Sequence, residues 1–344
     1  MSEIPPSRTA TAEAPVPGVA PEVVTTSLEP TATSQGPVAP QPGATPSVAS
    51  QASESAAAPT PAPTSLATVP NDDVEPQNPL TEKFIPAEWT ALKEFRSKLP
   101  ETFSEAFPDK PDAGTTPYNM WGVRIDPVNP KDARVSVVLM KFLRARNLNP
   151  AEAKEMLIST LRWRQSFNVE GAMEEKFPDE VFGKLGKVYG KDKQGRPVTY
   201  NLYGANKDLD AVFGDVQRFL RWRVAFMEES IVLLDFETVD QLVQIHDYEG
   251  VSMSSRTENS KNAASEASSI FQSHYPEFLS RKFFVNVPSF LTWIFWLFKP
   301  FLSAATLAKM SVVGSGHRAL GSALLPIIDR HELPKQYGGV AEGF

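Results

Sequence analysis

Cysteine is absent from all 344 residues, which excludes disulfides, thiolate-ligated haem, iron–sulfur clusters and thiolate zinc sites. The opening residues, MSEIPPSRTA, hold neither the apolar run of a secretory signal nor the Arg-rich amphipathic pattern of a transit peptide, so a cytosolic chain is expected. A basic excess is missing too. The net charge of −7 offers nothing to attract nucleic acid. No GxSxG, P-loop or GxGxxG fingerprint occurs, and His246, His274, His317 and His331 stand on separate segments without metal-site spacing, so no enzyme class is indicated. From Met1 to Pro70 there is no Phe, Tyr, Trp or Lys, only Arg8, and a dense supply of Pro, Ala, Ser and Thr. Such a stretch cannot bury enough apolar surface to offset the entropy of ordering it. Residues 1–75 are therefore expected to be a disordered tail, with the folded chain beginning between Asn71 and Thr81.

An uninterrupted membrane span is also lacking. Residues 283–302 read FFVNVPSFLTWIFWLFKPFL, but Asn286, Pro288, Lys299 and Pro300 break the run, and Phe290 to Phe298 falls far short of the ~20 residues a bilayer requires. Two readings stay open on pattern alone: a buried core helix, or a helix that lies against a membrane and lids an apolar cavity.

Elsewhere, periodicity separates the elements. In DARVSVVLMKFLRARN, Val135, Val138, Leu139, Phe142 and Leu143 fall on one helical face. Asn149, Pro150 and Glu152 form a start signal ahead of AKEMLISTLRWRQSF. These helices define a small N-terminal unit, residues 80–170. From 175 to 344, β-branched and apolar runs alternate with helical stretches. RPVTYNLYG reads as a strand, residues 213–234 as a helix, QLVQIHDYEGVS as a strand, TENSKNAASEASSIFQSHY as a helix and KFFVNV as a strand. A last strand near KMSVVG and a helix around HRALGSALL follow. Strand–helix alternation predicts an α/β fold with a mixed, mostly parallel sheet.

One strand carries unusual chemistry. His246-Asp247-Tyr248 interrupts an apolar run, and alternation directs His246 and Tyr248 to one face and Asp247 to the other. The two rings either satisfy each other, directly or through water, or they serve a bound iron.

Six ordered motifs, KFLRARNLNPAEAKEML, KDKQGRPVTY, IHDYEGVS, YPE…FFVNVP, LFKPFLSAATLAKM and LPKQYGG, give the chain a resemblance to the CRAL-TRIO lipid-transfer proteins, running from about residue 81 to 340. It is similar in particular to the non-classical, haem-binding branch of the fungal phosphatidylinositol transfer proteins. The resemblance implies a helical N-terminal domain, a sheet floored lipid pocket and a gate helix at Phe290–Phe298. It implies a non-enzymatic, monomeric carrier of phosphatidylinositol that visits membrane surfaces transiently, cytoplasmic with peripheral association to the endoplasmic reticulum or other internal membranes. The head-group ligands carried over are Arg146, Glu277, Thr306 and Lys309. Cations suit a phosphodiester, and a hydroxyl and carboxylate suit inositol hydroxyls.

The same resemblance implies a ferric haem b ligated by the Tyr248 phenolate, with His246 in support, Arg223 and Lys282 against the propionates and Tyr203 in the wall. Phosphatidylcholine-exchanging members carry apolar residues where His246 and Tyr248 stand, so this pocket is expected to accept phosphatidylcholine poorly. Leu143 stands where a haem-binding relative has a second tyrosine, so the far side of the macrocycle is expected to differ. An alternative use of the same pocket is haem handling or oxidant-stress response, with little lipid transfer.

Overall fold

The computed structural model describes residues 74–252, 257–288 and 307–344. The expected tail up to residue 73, the gate at Phe290–Phe298 and Thr306 lie outside the described residues.

The N-terminal helices are α1 (Pro86–Ser97), α2 (Leu99–Ala106), α3 (Ala133–Arg144) and α4 (Pro150–Phe167). The start signal at Asn149 acts as expected, and Asp132 caps α3 in the same way. The Asp132 carboxylate accepts from the Arg134 and Val135 amides at 2.8 and 3.0 Å, and Asn149 Oδ1 accepts from Ala151 and Glu152 at 3.0 and 3.3 Å. Between α2 and α3 lies a hairpin that periodicity did not reveal, β1 (Tyr118–Met120) and β2 (Val123–Ile125). Its two-residue turn places Trp121 and Gly122 at φ 54° and 76°. Trp121 tolerates this left-handed position because its ring is buried, stacked on Phe142 at 5.9 Å and edge-on to Phe278 at 4.6 Å.

Two short helices, α5 (Val169–Glu174) and α6 (Asp179–Phe182), lead into the second half. There the strands are β3 (Gly186–Lys191), β4 (Pro197–Leu202), β5 (Leu242–Asp247), β6 (Leu279–Val285) and β7 (Met310–Val312), adjacent in that order. β3 pairs antiparallel with β4; the remaining pairs are parallel. The expected mixed, mostly parallel sheet is what forms. The helices are α7 (Leu209–Phe213), α8 (Val216–Ile231), α9 (Glu258–His274) and α10 (His317–Leu324). The long helix expected over 213–234 is cut at its start by Asp215, whose carboxylate caps α8 by accepting from the Arg218 amide at 3.0 Å.

The sheet has two unlike faces. One carries Val198, Tyr200, Val243, Ile245, Phe283 and Val285, which form an apolar core with Leu320 and Leu324 of α10. The other carries Thr199 and Asn201 of β4, Gln244 and His246 of β5, and Lys282 and Phe284 of β6, aligned in register. This polar face lies beneath α8, where the Gln244 amide meets the Met227 sulfur at 3.9 Å.

A buried charge node ties α8 to the N-terminal helices. Arg164 of α4 donates to both oxygens of Glu228, at 2.6 and 3.3 Å, and the Tyr275 hydroxyl donates to Glu228 Oε1 at 2.7 Å. The Arg164 and Glu228 side chains are each 4% exposed. Burial, and then the Glu228 charge, push the Tyr275 phenol well above its ordinary range, so it stays a donor. Glu228→Ala leaves the buried Arg164 with only the exposed Glu170 carboxylate, 3.3 Å away, and is expected to cost about 3 kcal/mol in urea denaturation. Tyr275→Phe, which removes one hydrogen bond to the carboxylate, should cost about 1.5–3 kcal/mol. Losses below about 1 kcal/mol in both variants would show that the node is not what holds α8.

Candidate functional site

β4 and β5 deliver the site together. Their pairing continues past the strand ends, where Tyr203 N–H donates to the Asp247 carbonyl at 3.0 Å, and Tyr248 N–H holds the end of β5 to β6 by donating to the Val285 carbonyl at 3.0 Å. Gly204 lets the two chain exits approach, since a Cβ there would lie 1.9 Å from the Glu249 carbonyl oxygen. Tyr203, His246 and Tyr248 consequently share one face, as alternation requires. The Tyr203 ring centroid lies 5.6 Å from that of His246 and 5.1 Å from that of Tyr248, and Phe284 flanks both at 5.4 and 6.5 Å.

His246 finds its hydrogen-bond partner in Tyr203 and not in Tyr248, the partner that one of the two readings gave it. The Tyr203 hydroxyl and His246 Nδ1 are 2.6 Å apart, and His246 Nε2 faces Gln244 Oε1 at 3.4 Å. Burial, reinforced by the charges of Lys282 and Arg223, holds His246 far below the usual imidazole range and hence neutral. One tautomer fits: Tyr203 donates to Nδ1, and Nε2–H points at the Gln244 oxygen. Burial also raises the phenols of Tyr203 and Tyr248, so both are protonated in this state.

Asp247 takes the opposite face. Its carboxylate accepts from the Tyr337 hydroxyl at 2.7 Å and from Asn286 Nδ2 and the Glu249 amide at 2.8 Å each. That fixes the end of β5 and therefore the position of its two rings.

Arg223 is no surface residue of α8. It is 6% exposed, with its guanidinium over the rings of Phe271 at 5.0 Å and Phe226 at 5.6 Å. Burial lowers its pKa, and the opposing influence of Tyr203 and Tyr275, phenols rather than carboxylates, offsets this only in part. Lys282 lies 5.5 Å over the Phe284 ring, and burial together with the Arg223 charge pushes its ammonium down to about 7. Among the described residues neither cation forms an ion pair with a carboxylate. Two cationic side chains and a neutral imidazole buried between α8 and the sheet create a positive field with no carboxylate counter-charge among the described residues, a setting that attracts an anionic ligand.

The second group of residues is only partly assembled. Lys309 Nζ donates to Glu277 Oε2 at 2.9 Å. Glu277 adopts φ 55°, a left-handed conformation that a carboxylate-bearing residue rarely takes, and its carbonyl is held by Lys141 Nζ at 3.1 Å and Gln241 Nε2 at 3.2 Å. Arg146, on the turn after α3, donates to the Ala145 carbonyl at 2.9 Å and is joined to neither Glu277 nor Lys309 by an ion pair among the described residues. Leu143 is fully buried in the N-terminal core. Sequence reasoning missed Lys141, whose ammonium is 1% exposed and paired with Asp240 at 2.8 Å. It also missed Gln244 and Asn201, although period-2 reading of NLYG and QIHDY puts both on the His246 face.

The family model described as the CRAL/TRIO domain matches residues 183–339, and that of the CRAL/TRIO N-terminal domain matches residues 91–159. Among curated proteins, a phosphatidylinositol transfer protein sfh5 of Botryotinia fuckeliana is 38% identical over 264 residues, 72% of this chain and 57% of that protein. A phosphatidylinositol transfer protein SFH5 of Cryptococcus neoformans var. neoformans is 36% identical over 267 residues, 72% of this chain and 86% of that protein. The chain thus spans less than two thirds of the Botryotinia relative but most of the Cryptococcus one. Among solved structures, the crystal structure of Sfh5 superposes with a TM-score of 0.63 at 28% identity, covering 75% of this chain and 88% of that one.

The depressed pKa of Lys282 has a signed consequence for stability. Between about 7, its folded value, and 10.5, its ordinary one, the unfolded chain binds a proton that the folded chain does not. Unfolding free energy contributed by this group therefore rises with pH across that window and is lost as pH falls toward 7. In ligand-free protein, urea midpoints measured between pH 7 and 10 should climb, and Lys282→Met should flatten the climb and raise the midpoint at pH 7. An unchanged slope in that variant would assign the pH dependence to another group.

Proposed function

The chain belongs to the CRAL-TRIO family, and from that premise we propose that it is a phosphatidylinositol transfer protein whose pocket also binds ferric haem through Tyr248. The observation that carries the reading is the polar, carboxylate-free face beneath α8, where Tyr203, His246 and Tyr248 cluster between Arg223 and Lys282. A pocket for acyl chains alone has no use for such a floor, because buried polar rings and cations are costly without a polar ligand. The names of the relatives, phosphatidylinositol transfer proteins, support the lipid half of the proposal.

The residues present fit a tyrosinate-bound haem. Tyr248 stands among rings that would pack on a macrocycle, and the cations without carboxylate partners match the charge of its propionates. Among the described residues no three His, Asp or Glu side chains gather into a site for a bare metal ion, so the tyrosine would take iron that a macrocycle already holds. The group supplies a ferric Lewis acid, which stabilises the phenolate form of a tyrosine that burial alone keeps protonated. Tyr203 orients His246 through Nδ1, and His246 presents a neutral ring beside the ligating position. Arg223 and Lys282 hold acid groups at the pocket wall.

For phosphatidylinositol, Glu277 and Lys309 are already joined and would open to accept inositol hydroxyls and phosphate, with Arg146 and Thr306 completing the set. In this reading the protein is a monomeric carrier rather than an enzyme, cytoplasmic and peripherally associated with the endoplasmic reticulum or other internal membranes. No described helix is long and apolar enough to cross a bilayer. A second reading, haem handling with little lipid transfer, is favoured by the polarity of the floor itself.

Two independent measurements test the proposal. Purified protein should show a Soret band with the long-wavelength charge-transfer absorption of tyrosinate-ligated high-spin iron, most of which Tyr248→Phe removes while His246→Ala only alters it. In vesicle assays Lys309→Ala and Glu277→Ala should abolish phosphatidylinositol transfer with haem content unchanged. Full haem occupancy in Tyr248→Phe would mean that another residue holds the iron, and normal transfer by the other two variants would discard the head-group assignment.

A further inference from the structure

Asn201 is the most anomalous polar residue near this pocket. Its neighbours on β4, Tyr200 and Leu202, belong to or pack on the apolar core of the opposite face, which directs the Asn201 amide to the His246 side. The residue is 1% exposed, and among the described residues neither Oδ1 nor Nδ2 has a hydrogen-bond partner. Its register partners cannot supply one. Gly186 on β3 has no side chain, and a Cβ there would come within 3.0 Å of the Phe226 ring. His246 on β5 is already engaged by Tyr203 at Nδ1 and faces Gln244 with Nε2. A primary amide carries two donors and an acceptor, and burying all of them unpaired is rare in native folds. Leucine would fill nearly the same space without that cost, so the amide has a use that the ligand-free fold does not display.

The same face supplies the second observation, the carboxylate-free cations Arg223 and Lys282. An aspartate at position 201 would be nearly isosteric and would add a negative charge to the face that holds Lys282. The neutral amide leaves that field open while still offering N–H groups.

Resting on the pocket reading above, we propose that Asn201 is a ligand-recognition residue: its amide donates to an acidic oxygen of the amphiphile seated on this face, which also carries Lys282 two strands away and lies under the helix that carries Arg223. The ligand chemistry is an oxyanion, carried either by a haem propionate or by a phospholipid phosphodiester. Asn201 thereby fixes where the acidic oxygen sits, a geometric selectivity that the cations, which also attract anions lacking the right geometry, provide less sharply.

Full-length Asn201→Leu and Asn201→Asp test this against wild type by three readouts: the melting temperature of ligand-free protein, equilibrium titration with ferric haem and with haem dimethyl ester, and phosphatidylinositol transfer between vesicles. Asn201→Leu should melt at or above the wild-type temperature yet bind ferric haem ~10-fold more weakly, the loss expected for one hydrogen bond to a charged group. Asn201→Asp should lose more, because its carboxylate competes for the cations. Affinity for the dimethyl ester should fall clearly less in both, because its ester carbonyls accept only a weaker, uncharged hydrogen bond. If haem affinity is untouched but lipid transfer falls, the oxyanion is the phosphodiester and the proposal stands with that source. Wild-type protein without a Soret band would remove the haem reading and leave the transfer arm to decide. The proposal is overturned if Asn201→Leu melts lower while both ligand readouts are unchanged, or if the ester loses as much affinity as the acid.

Discussion

The Glu228 carboxylate is the constraint from which the rest of the pocket follows. A charge taken this far out of water is tolerable only while Arg164 and Tyr275 remain on it, and those partners come from α4 and from the segment leading into β6. The three contacts therefore fix α8 with respect to the N-terminal helices and the sheet at once. Arg223 lies five residues earlier on the same helix, and its place over Phe271 and near Lys282 depends on that anchorage. The helix that closes the polar face is thus oriented by a polar node outside the pocket.

Under α8 the sheet separates its tasks by face. Branched and aromatic residues bury against α10, and the stability of the lobe resides there. The other face is released from that duty and can carry groups that a core would reject. Its electrostatics are one-sided: two cations, a neutral imidazole and protonated phenols, without a carboxylate partner for either cation among the described residues. Each of these groups is pushed toward its neutral form by burial, and an anionic or metal-bearing ligand reverses that balance.

Backbone strain appears where such a ligand would be held. Glu277 is kept left-handed by two side chains that converge on its carbonyl, Lys141 from α3 and Gln241 from the lead-in to β5. Asn286, at φ 54°, is braced by Asp247 directly behind the ring-bearing end of β5. Both positions persist because surrounding contacts over-determine them. They connect the two candidate binding regions to the segments that flank them in the chain.

The sequence determined much of this by local rules. Alternation along NLYG and QIHDY places Tyr203, His246 and Tyr248 together, caps at Asp132 and Asn149 start their helices, and strand–helix alternation sets a mixed, mostly parallel sheet. The Trp121–Gly122 hairpin was hidden because its strands are too short for a period to register. Tertiary structure alone decided that His246 pairs with Tyr203 rather than Tyr248, that Arg223 is buried, that Lys309 meets Glu277 and that the Asn201 amide has no partner among the described residues. These outcomes join residues tens of positions apart. Periodicity fixes which face a side chain takes, but the partner it finds there depends on where the long-range contacts of Glu228 and Asp247 set the helix and the strand end.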